Sequence, residues 1–300
     1  MQISTKVFND QSIAGFQRLG KEIQDDQKRI ATGSKILNAS DDPVTMAQVS
    51  AANDQLAKIE QYDKNVDRAR LRLTQAETAL ESVESMVTRL IELSLQAMNG
   101  TYGEHGRNAI KSEIVAVKDA IREVANSTDP HGNALFGGFK TKAVPFLQSS
   151  DGTVSYNGDR GISFVPISET MKIQTSVDGA TAFNRIPTAA GYEDLFGIID
   201  SIVTNITNNQ TGQINVDNLK SSLSHVSKQR ALMGSQINKA DSQLQLLQQR
   251  KMLLTESIGE MRDTDLSEVV TRLKSLMLSR DAAQQAFSMI GRQSLFDFIR

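Results

Sequence analysis

Three hundred residues can hold two or three compact domains, yet tryptophan is absent and only 5% of residues are aromatic, which is lean for a thick enzyme core. A net charge of −2 with 23% charged residues gives no electrostatic case for nucleic acid, and no apolar run approaches the ~20 residues of a membrane-spanning helix. The absence of cysteine removes disulfides, thiolate metal sites and thiol nucleophiles together.

The first residues, Met1-Gln2-Ile3-Ser4-Thr5-Lys6-Val7, lack a cationic region followed by an apolar block, so no cleavable signal peptide is expected. The composition suits a cytosolic protein or one exported by another route. Up to about residue 38, Ile3, Val7, Phe16, Leu19, Ile23 and Ile30 recur at helical spacing, while Asp26 and Gly33 interrupt the second row. Gly15 and Gly20 each weaken such a helix by up to ~1 kcal/mol. A lone amphipathic helix of this quality is marginal, so it is expected to order mainly when something packs on it. An ordinary helix folded back on a bundle is the plainer alternative.

Ser40-Asp41-Asp42-Pro43 reads as a helix start: a side-chain oxygen caps free N–H groups, proline suits the first helical position, and carboxylates sit at the positive end of the dipole. The carboxylate pair has no histidine or further acid beside it, which favours capping over metal binding or acid–base work. Neither proline nor glycine then occurs until Gly100, which allows roughly 55 helical residues, or about 80 Å. Within them Ile59, Val66, Leu73, Leu80, Val87 and Ser94 form one seven-residue series, and Tyr62, Ala69, Ala76, Val83, Leu90 and Ala97 form its companion. This apolar repeat predicts a rod that winds against other helices over its whole length.

After a glycine-containing loop, Ile110, Ile114, Val117, Ile121 and Val124 form a second stripe, expected to double back on the first rod until Asp129-Pro130-His131-Gly132-Asn133 stops it. From Leu135 to Pro187 the pattern changes. Thr153–Tyr156, Ile162–Val165 and Met171–Val177 alternate polar and apolar residues, and Asn157-Gly158 reads as a hairpin turn. A β-rich insert of roughly 50 residues is predicted, just large enough for its own core. Gly137-Gly138 lacks the Lys-Ser/Thr of a phosphate loop and reads as backbone flexibility at the entrance to the insert.

Helical periodicity returns at Leu195, Ile199, Ile202 and Ile206. A second rod follows, with Leu219, Val226, Met233, Ala240, Leu247, Leu254 and Met261 in one row and Leu223, Ile237, Leu244 and Ile258 in its companion, sharing that row with Arg230 and Lys251. The two rods are expected to be antiparallel partners. Asp263-Thr264-Asp265 breaks the second rod and caps a last helix striped by Leu266, Val269, Leu273, Leu276, Ala283, Phe287 and Ile290. The chain closes on Leu295-Phe296-Asp297-Phe298-Ile299-Arg300, an apolar terminus of the kind that meets a partner surface. His105, His131 and His225 are scattered, and no nucleophile or acid pair stands out, so no catalytic residue, metal or cofactor is assigned.

The fold class is therefore mainly α: long antiparallel rods with a small β-rich insert. Residues 1–40 and 263–300 form terminal assembly segments, 41–134 and 189–262 the two halves of the rod domain, and 135–188 the insert. The rod core is expected at Ile59, Val66, Leu73, Leu80, Val87, Leu223, Ile237, Leu244, Leu247, Leu254 and Ile258.

Met1-Gln2-Ile3-Ser4-Thr5, Ile30-Ala31-Thr32-Gly33 running into Ser40-Asp41-Asp42-Pro43-Val44, and a last helix ending Ser294-Leu295-Phe296 resemble the flagellin superfamily. Within it, Asp42-Pro43, Gly100-Thr101-Tyr102 and Leu135-Phe136-Gly137-Gly138-Phe139 with Pro145-Phe146 resemble the hook-associated protein 3 branch. Flagellins proper tend to follow the Ser-Asp-Asp start with small residues and lack the Leu-Phe-Gly-Gly block. Asn38-Ala39 departs from the branch, where many members carry proline.

The resemblance implies a non-enzymatic adaptor at the junction of the bacterial flagellar hook and filament, exported by the flagellar type III apparatus. Its implied partners are further copies of itself, hook-associated protein 1, flagellin or the filament cap, and a chaperone on the C-terminal helix. It also implies terminal segments disordered in the monomer that assemble through Ile3, Phe8, Phe16, Ile23, Ile30, Leu276, Phe287, Leu295, Phe296 and Phe298. A filament-forming flagellin is the first rival, and a cytosolic coiled-coil scaffold with ordered ends is the second.

Overall fold

The computed structural model describes residues 2–99, 103–208, 210 and 212–296, with the backbone alone for 2–5, 214 and 290–296. Its helices are α1 (Gln2–Thr32), α2 (Pro43–Met98), α3 (Glu104–Ala125), α4 (Gly179–Phe183), α5 (Leu195–Thr207), α6 (Gln213–Arg262) and α7 (Leu266–Phe296). The strands are β1 (Phe146–Gln148), β2 (Val154–Tyr156), β3 (Phe164–Pro166), β4 (Lys172–Gln174), β5 (Ile186–Thr188) and β6 (Gly191–Glu193). The chain divides into two compact units, Met1–Lys58 with Arg250–Arg300, and Ile59–Gln249. The divisions fall inside α2 and α6, away from the boundaries at 40/41 and 262/263 drawn from the sequence.

In the first unit, Asp42 starts α2 as its pattern predicts: its carboxylate accepts the Thr45 N–H at 3.0 Å and the Thr45 hydroxyl at 2.6 Å. These bonds hold the Asp42 carboxyl below its usual range. The beginning of α2 packs on the end of α6 through Val49, Ala52 and Ile258, with Leu56, Leu254 and Met261 around them. The two linkers are zipped together. Lys35 N–H donates to the Arg262 carbonyl at 2.8 Å, and Thr264 N–H donates to the Gly33 carbonyl at 2.9 Å. Gly33 makes this crossing at φ +69°, a left-handed conformation that favours glycine.

In the second unit α2 supplies the spine. Ile59, Val66, Leu73, Leu80 and Val87 are buried, as are Ala69, Ala76, Val83, Leu90 and Ala97 of the companion row. α3 runs antiparallel to it, joined by Arg89–Glu113 at 2.6 Å and Arg72–Asp129 at 2.8 Å. α6 is also antiparallel: Arg70 meets Asp241 at 3.3 Å, and Arg230 meets Glu81 at 3.0 Å and Glu84 at 3.1 Å.

The seam of α6 differs from expectation on one side. Leu219, Val226, Met233, Ala240 and Leu247 are buried, but the companion row is Ser222, Gln229 and Gln243, while Leu223, Ile237 and Leu244 are half-buried. Leu254 in the first unit is half-buried too. The reason lies in what covers the helix. The start of α4 and the residues before it flank part of the glutamine row: Val177, Asp178 and Thr181 line a cleft with Gln229 and Gln236, and His225 Nε2 sits 2.8 Å from the Thr181 carbonyl. The Leu/Ile row is displaced to the shoulder facing the α2 carboxylates, and this explains why Arg230 shares it.

The insert consists of three separate antiparallel hairpins, β1–β2, β3–β4 and β5–β6, the last running to Glu193. Asn157-Gly158 is not a hairpin turn. β2 pairs back to β1 through a turn in which Asp151 accepts from Thr153 N–H at 3.0 Å and Gly152 takes φ +85°. Gly158 instead lies under the Tyr156 ring, which a Cβ there would overlap. Gly137-Gly138 is likewise not a flexible entrance. A Cβ on Gly138, at φ +66°, would overlap Asp159, whose carboxylate accepts from Phe139 N–H at 2.6 Å and Gly161 N–H at 2.9 Å.

Nor does the insert keep a core to itself. Phe146 packs on Tyr156, Phe183 and the α5 residue Phe196 at ring separations of 5.1, 5.3 and 5.4 Å. The buried Lys118 of α3 ties these elements further, donating to the Gly152 carbonyl at 2.8 Å and to Asp200 at 2.5 Å.

Candidate functional site

The residues expected to mediate assembly lie on α1 and α7, which pair within the first unit. Phe16, Leu19, Ile23, Asp26 and Ile30 fall on one side of α1 at three- and four-residue steps, and Val269, Arg272, Leu273, Leu276, Ala283 and Phe287 share one side of α7 at steps of three, four and seven with Arg272 and Leu273 adjacent. Phe287 stacks on Phe8 at 6.2 Å and meets Phe16 edge-on at 5.8 Å. Ile23 is buried, whereas Phe16, Ile30, Leu276 and Phe287 are half-buried and Phe8 is at the exposed edge. Ile3, Leu295 and Phe296 lie on the helices with side chains outside the described set, and Phe298 lies outside the described residues.

Asp26 turns out to be a member of the seam. Its side chain is 3% exposed and accepts from Arg272 twice, through Nε at 2.8 Å and through Nη2. Arg29 adds a third bond at 3.2 Å. Because Phe16 meets Phe287 while Asp26 meets Arg272, the helices are antiparallel. The sequence contained the signal: a carboxylate three residues after Ile23 and four before Ile30, matched by an arginine three after Val269 and four before Leu276. A charge on both apolar stripes is consistent with a pair, although one sequence does not say which charge meets which.

The hydrogen bonds from Arg272, aided by the charges of Arg272 and Arg29, hold the Asp26 carboxyl below the usual carboxylate range despite its burial. Its contribution to pairing is therefore complete above the ordinary carboxylate pKa of about 3.9 and is lost as pH falls through the lower native value. Acidification of the assembled protein below about pH 4 is expected to release α1 from α7. Helical signal and light scattering should fall together, and an Asp26→Asn variant should lack that acid step.

Among the described residues, several apolar side chains of these helices stay exposed. Leu266, Val270 and Met277 follow one another at four- and seven-residue steps along α7 and are 49%, 36% and 40% exposed. Leu278 and Met289 stand out on another side of it, as do Val7 and Ile13 on α1. A helix apolar on more than one side ordinarily has several packing partners. Among the described residues, no group of three histidines or acids converges as metal ligands, and no helix is long and apolar enough to cross a membrane.

The profile of the bacterial flagellin N-terminal helical region matches residues 3–141, and that of the C-terminal helical region matches residues 216–299. The chain belongs to the flagellin family. Members of this family are structural components of the bacterial flagellum rather than enzymes. This flagellin-family chain is 27% identical to flagellar hook-associated protein 3 of Salmonella typhimurium, over 100% of both proteins. It is 24% identical to flagellar hook-associated protein 3 of Escherichia coli, over 99% of both. In fold it is similar to a putative flagellar hook-associated protein from Vibrio parahaemolyticus, with a TM-score of 0.67 and 20% identity, over 74% of this chain and 100% of that one.

Proposed function

We propose that this flagellin-family chain is a structural adaptor at the hook–filament junction, polymerising through α1 and α7. The observation that carries the reading is the α1–α7 pair, whose mutual packing uses one side of α7 and leaves Leu266, Val270, Met277, Leu278 and Met289 for neighbouring subunits. Higher identity to proteins named hook-associated protein 3 (27% and 24%) than to flagellins matched over nearly the same length (22%) supports this station over the filament proper. In this reading hook-associated protein 1 lies on one side, flagellin or the filament cap on the other, and a chaperone holds the C-terminal helix before type III export.

Coupled folding is part of the proposal. Two glycine-containing helices with partly exposed seams order fully only when subunit packing offsets the entropy of fixing them. Trypsin is therefore expected to trim the free monomer at both ends first and leave a core near residues 40–262. Intact ends at equal enzyme dose would favour a scaffold with ordered termini.

Deletion of the gene, followed by electron microscopy and an immunoblot of the medium, tests the station. Bare hooks with flagellin lost to the medium are expected, because exported subunits then have nothing to assemble on. Bare hooks with no flagellin anywhere would make this chain the filament protein, and normal filaments would count against both.

A further inference from the structure

The α1–α7 seam poses a register problem. Phe16, Ile23 and Ile30 repeat every seven residues on α1, and Val269, Leu276 and Ala283 repeat every seven on α7. Sliding one helix by a heptad, about 10 Å, would set apolar side chains against apolar side chains again. Hydrophobic burial is non-directional and by itself distinguishes these alignments poorly.

Asp26 does distinguish them. In the observed alignment its carboxylate is enclosed by a two-point contact from Arg272 and a further bond from Arg29. A heptad slip in one direction replaces Arg272 by Ser279, and in the other by Asp265. The first withdraws the Arg272 fork from a buried carboxylate and the second sets like charges together, both unfavourable in a site this closed. The zipped linkers fit the same alignment: Lys35 to Arg262 and Thr264 to Gly33 begin about two to three turns from the ion pair.

We propose that the Asp26–Arg272 pair is a register lock, selecting one alignment of the two terminal helices from several that the apolar residues alone would accept. A single polar contact within an apolar helix seam can fix register in this way at some cost in stability. The lock acts wherever α1 and α7 are ordered against each other, whatever the station at which the protein assembles.

The chain has no cysteine, so introduced pairs report register without background. Phe16→Cys with Phe287→Cys reads the observed alignment, and Ile23→Cys with Phe287→Cys reads the slip that brings Ser279 to Asp26. Each pair is placed in the full-length chain, oxidised, and scored as an intramolecular disulfide on non-reducing gels. The measurement is made on purified protein and on flagella sheared from cells. With the lock intact, only the first pair should close in sheared flagella, where both helices are ordered, and it should predominate in the purified chain. Asp26→Leu with Arg272→Leu is expected to raise the slipped disulfide at least tenfold relative to the observed one.

Asp26→Asn, which keeps the side chain's size, should shift the ratio in the same direction and covers the case in which the double variant loses helix. Arg272→Lys keeps the charge but loses the two-point contact, and should fall between the parent and the Asp26→Asn ratio. An unchanged ratio in both Asp26 variants would overturn the lock, as would a parent chain in which both disulfides close equally in both preparations. Loss of the junction role in the deletion strain would leave the purified-chain result standing, so the two readings fail separately.

Discussion

Replacing Phe146 by alanine is expected to destabilise the second unit by about 3–5 kcal/mol, the range for truncating a fully buried aromatic. Phe146 is 1% exposed and lies against three rings, from β2, the end of α4 and α5. Its backbone is held at both ends by Asn126 just beyond α3, which accepts from Phe146 N–H at 2.8 Å and donates to its carbonyl at 2.9 Å. The surrounding rings therefore have little freedom to collapse into the space a methyl group leaves. Urea unfolding followed by circular dichroism should show the midpoint falling. A loss below about 1 kcal/mol would mean that the hairpins contribute little to the unit and that helix seams alone support it.

The largest effect on assembly is expected from Phe287→Asp. Phe287 is the ring that Phe8 and Phe16 share, and each aromatic contact is worth about 0.5–1.5 kcal/mol beyond its buried area. A carboxylate there removes both contacts and places a charge with no partner in the seam. A deletion strain carrying this variant should export the protein but show bare hooks and no swimming, and the purified variant should keep the second unit's unfolding midpoint. Phe287→Leu, which preserves an apolar side chain, should restore filaments. Normal filaments with Phe287→Asp would remove the α1–α7 seam from the assembly mechanism.

The α2 repeat was legible because each of its rows is almost purely apolar from Ile59 to Ala97, so periodicity and burial coincide. On α6 they separate. Leu223, Ile237 and Leu244 outrank Ser222, Gln229 and Gln243 in hydrophobicity, yet the polar row is the buried one, and Val177 and Thr181 flank it at Gln229. Amide and hydroxyl side chains can be buried by such a neighbour: the Ser222 hydroxyl, for example, donates to the Asn218 carbonyl one turn back at 2.8 Å. Asn157-Gly158 is not a turn for a related reason. Glycine marks close approach as readily as it marks a turn, and the Tyr156 ring lies over that position.

Legible along the chain were the helical rods, helix boundaries at Asp42, Asp129 and Asp265, the β-rich character of the insert, and the membership in a flagellar structural family. These follow from local periodicity, capping chemistry and motif order, all written along the chain. Only the folded chain shows which side of α6 is buried, that the β1–β2 hairpin and α4 share an aromatic core with α5, and that Asp26 belongs in the terminal seam opposite Arg272. Those outcomes rest on contacts between residues up to 246 positions apart, and a charge's partner across such a distance is chosen by packing geometry rather than by any pattern in its own helix.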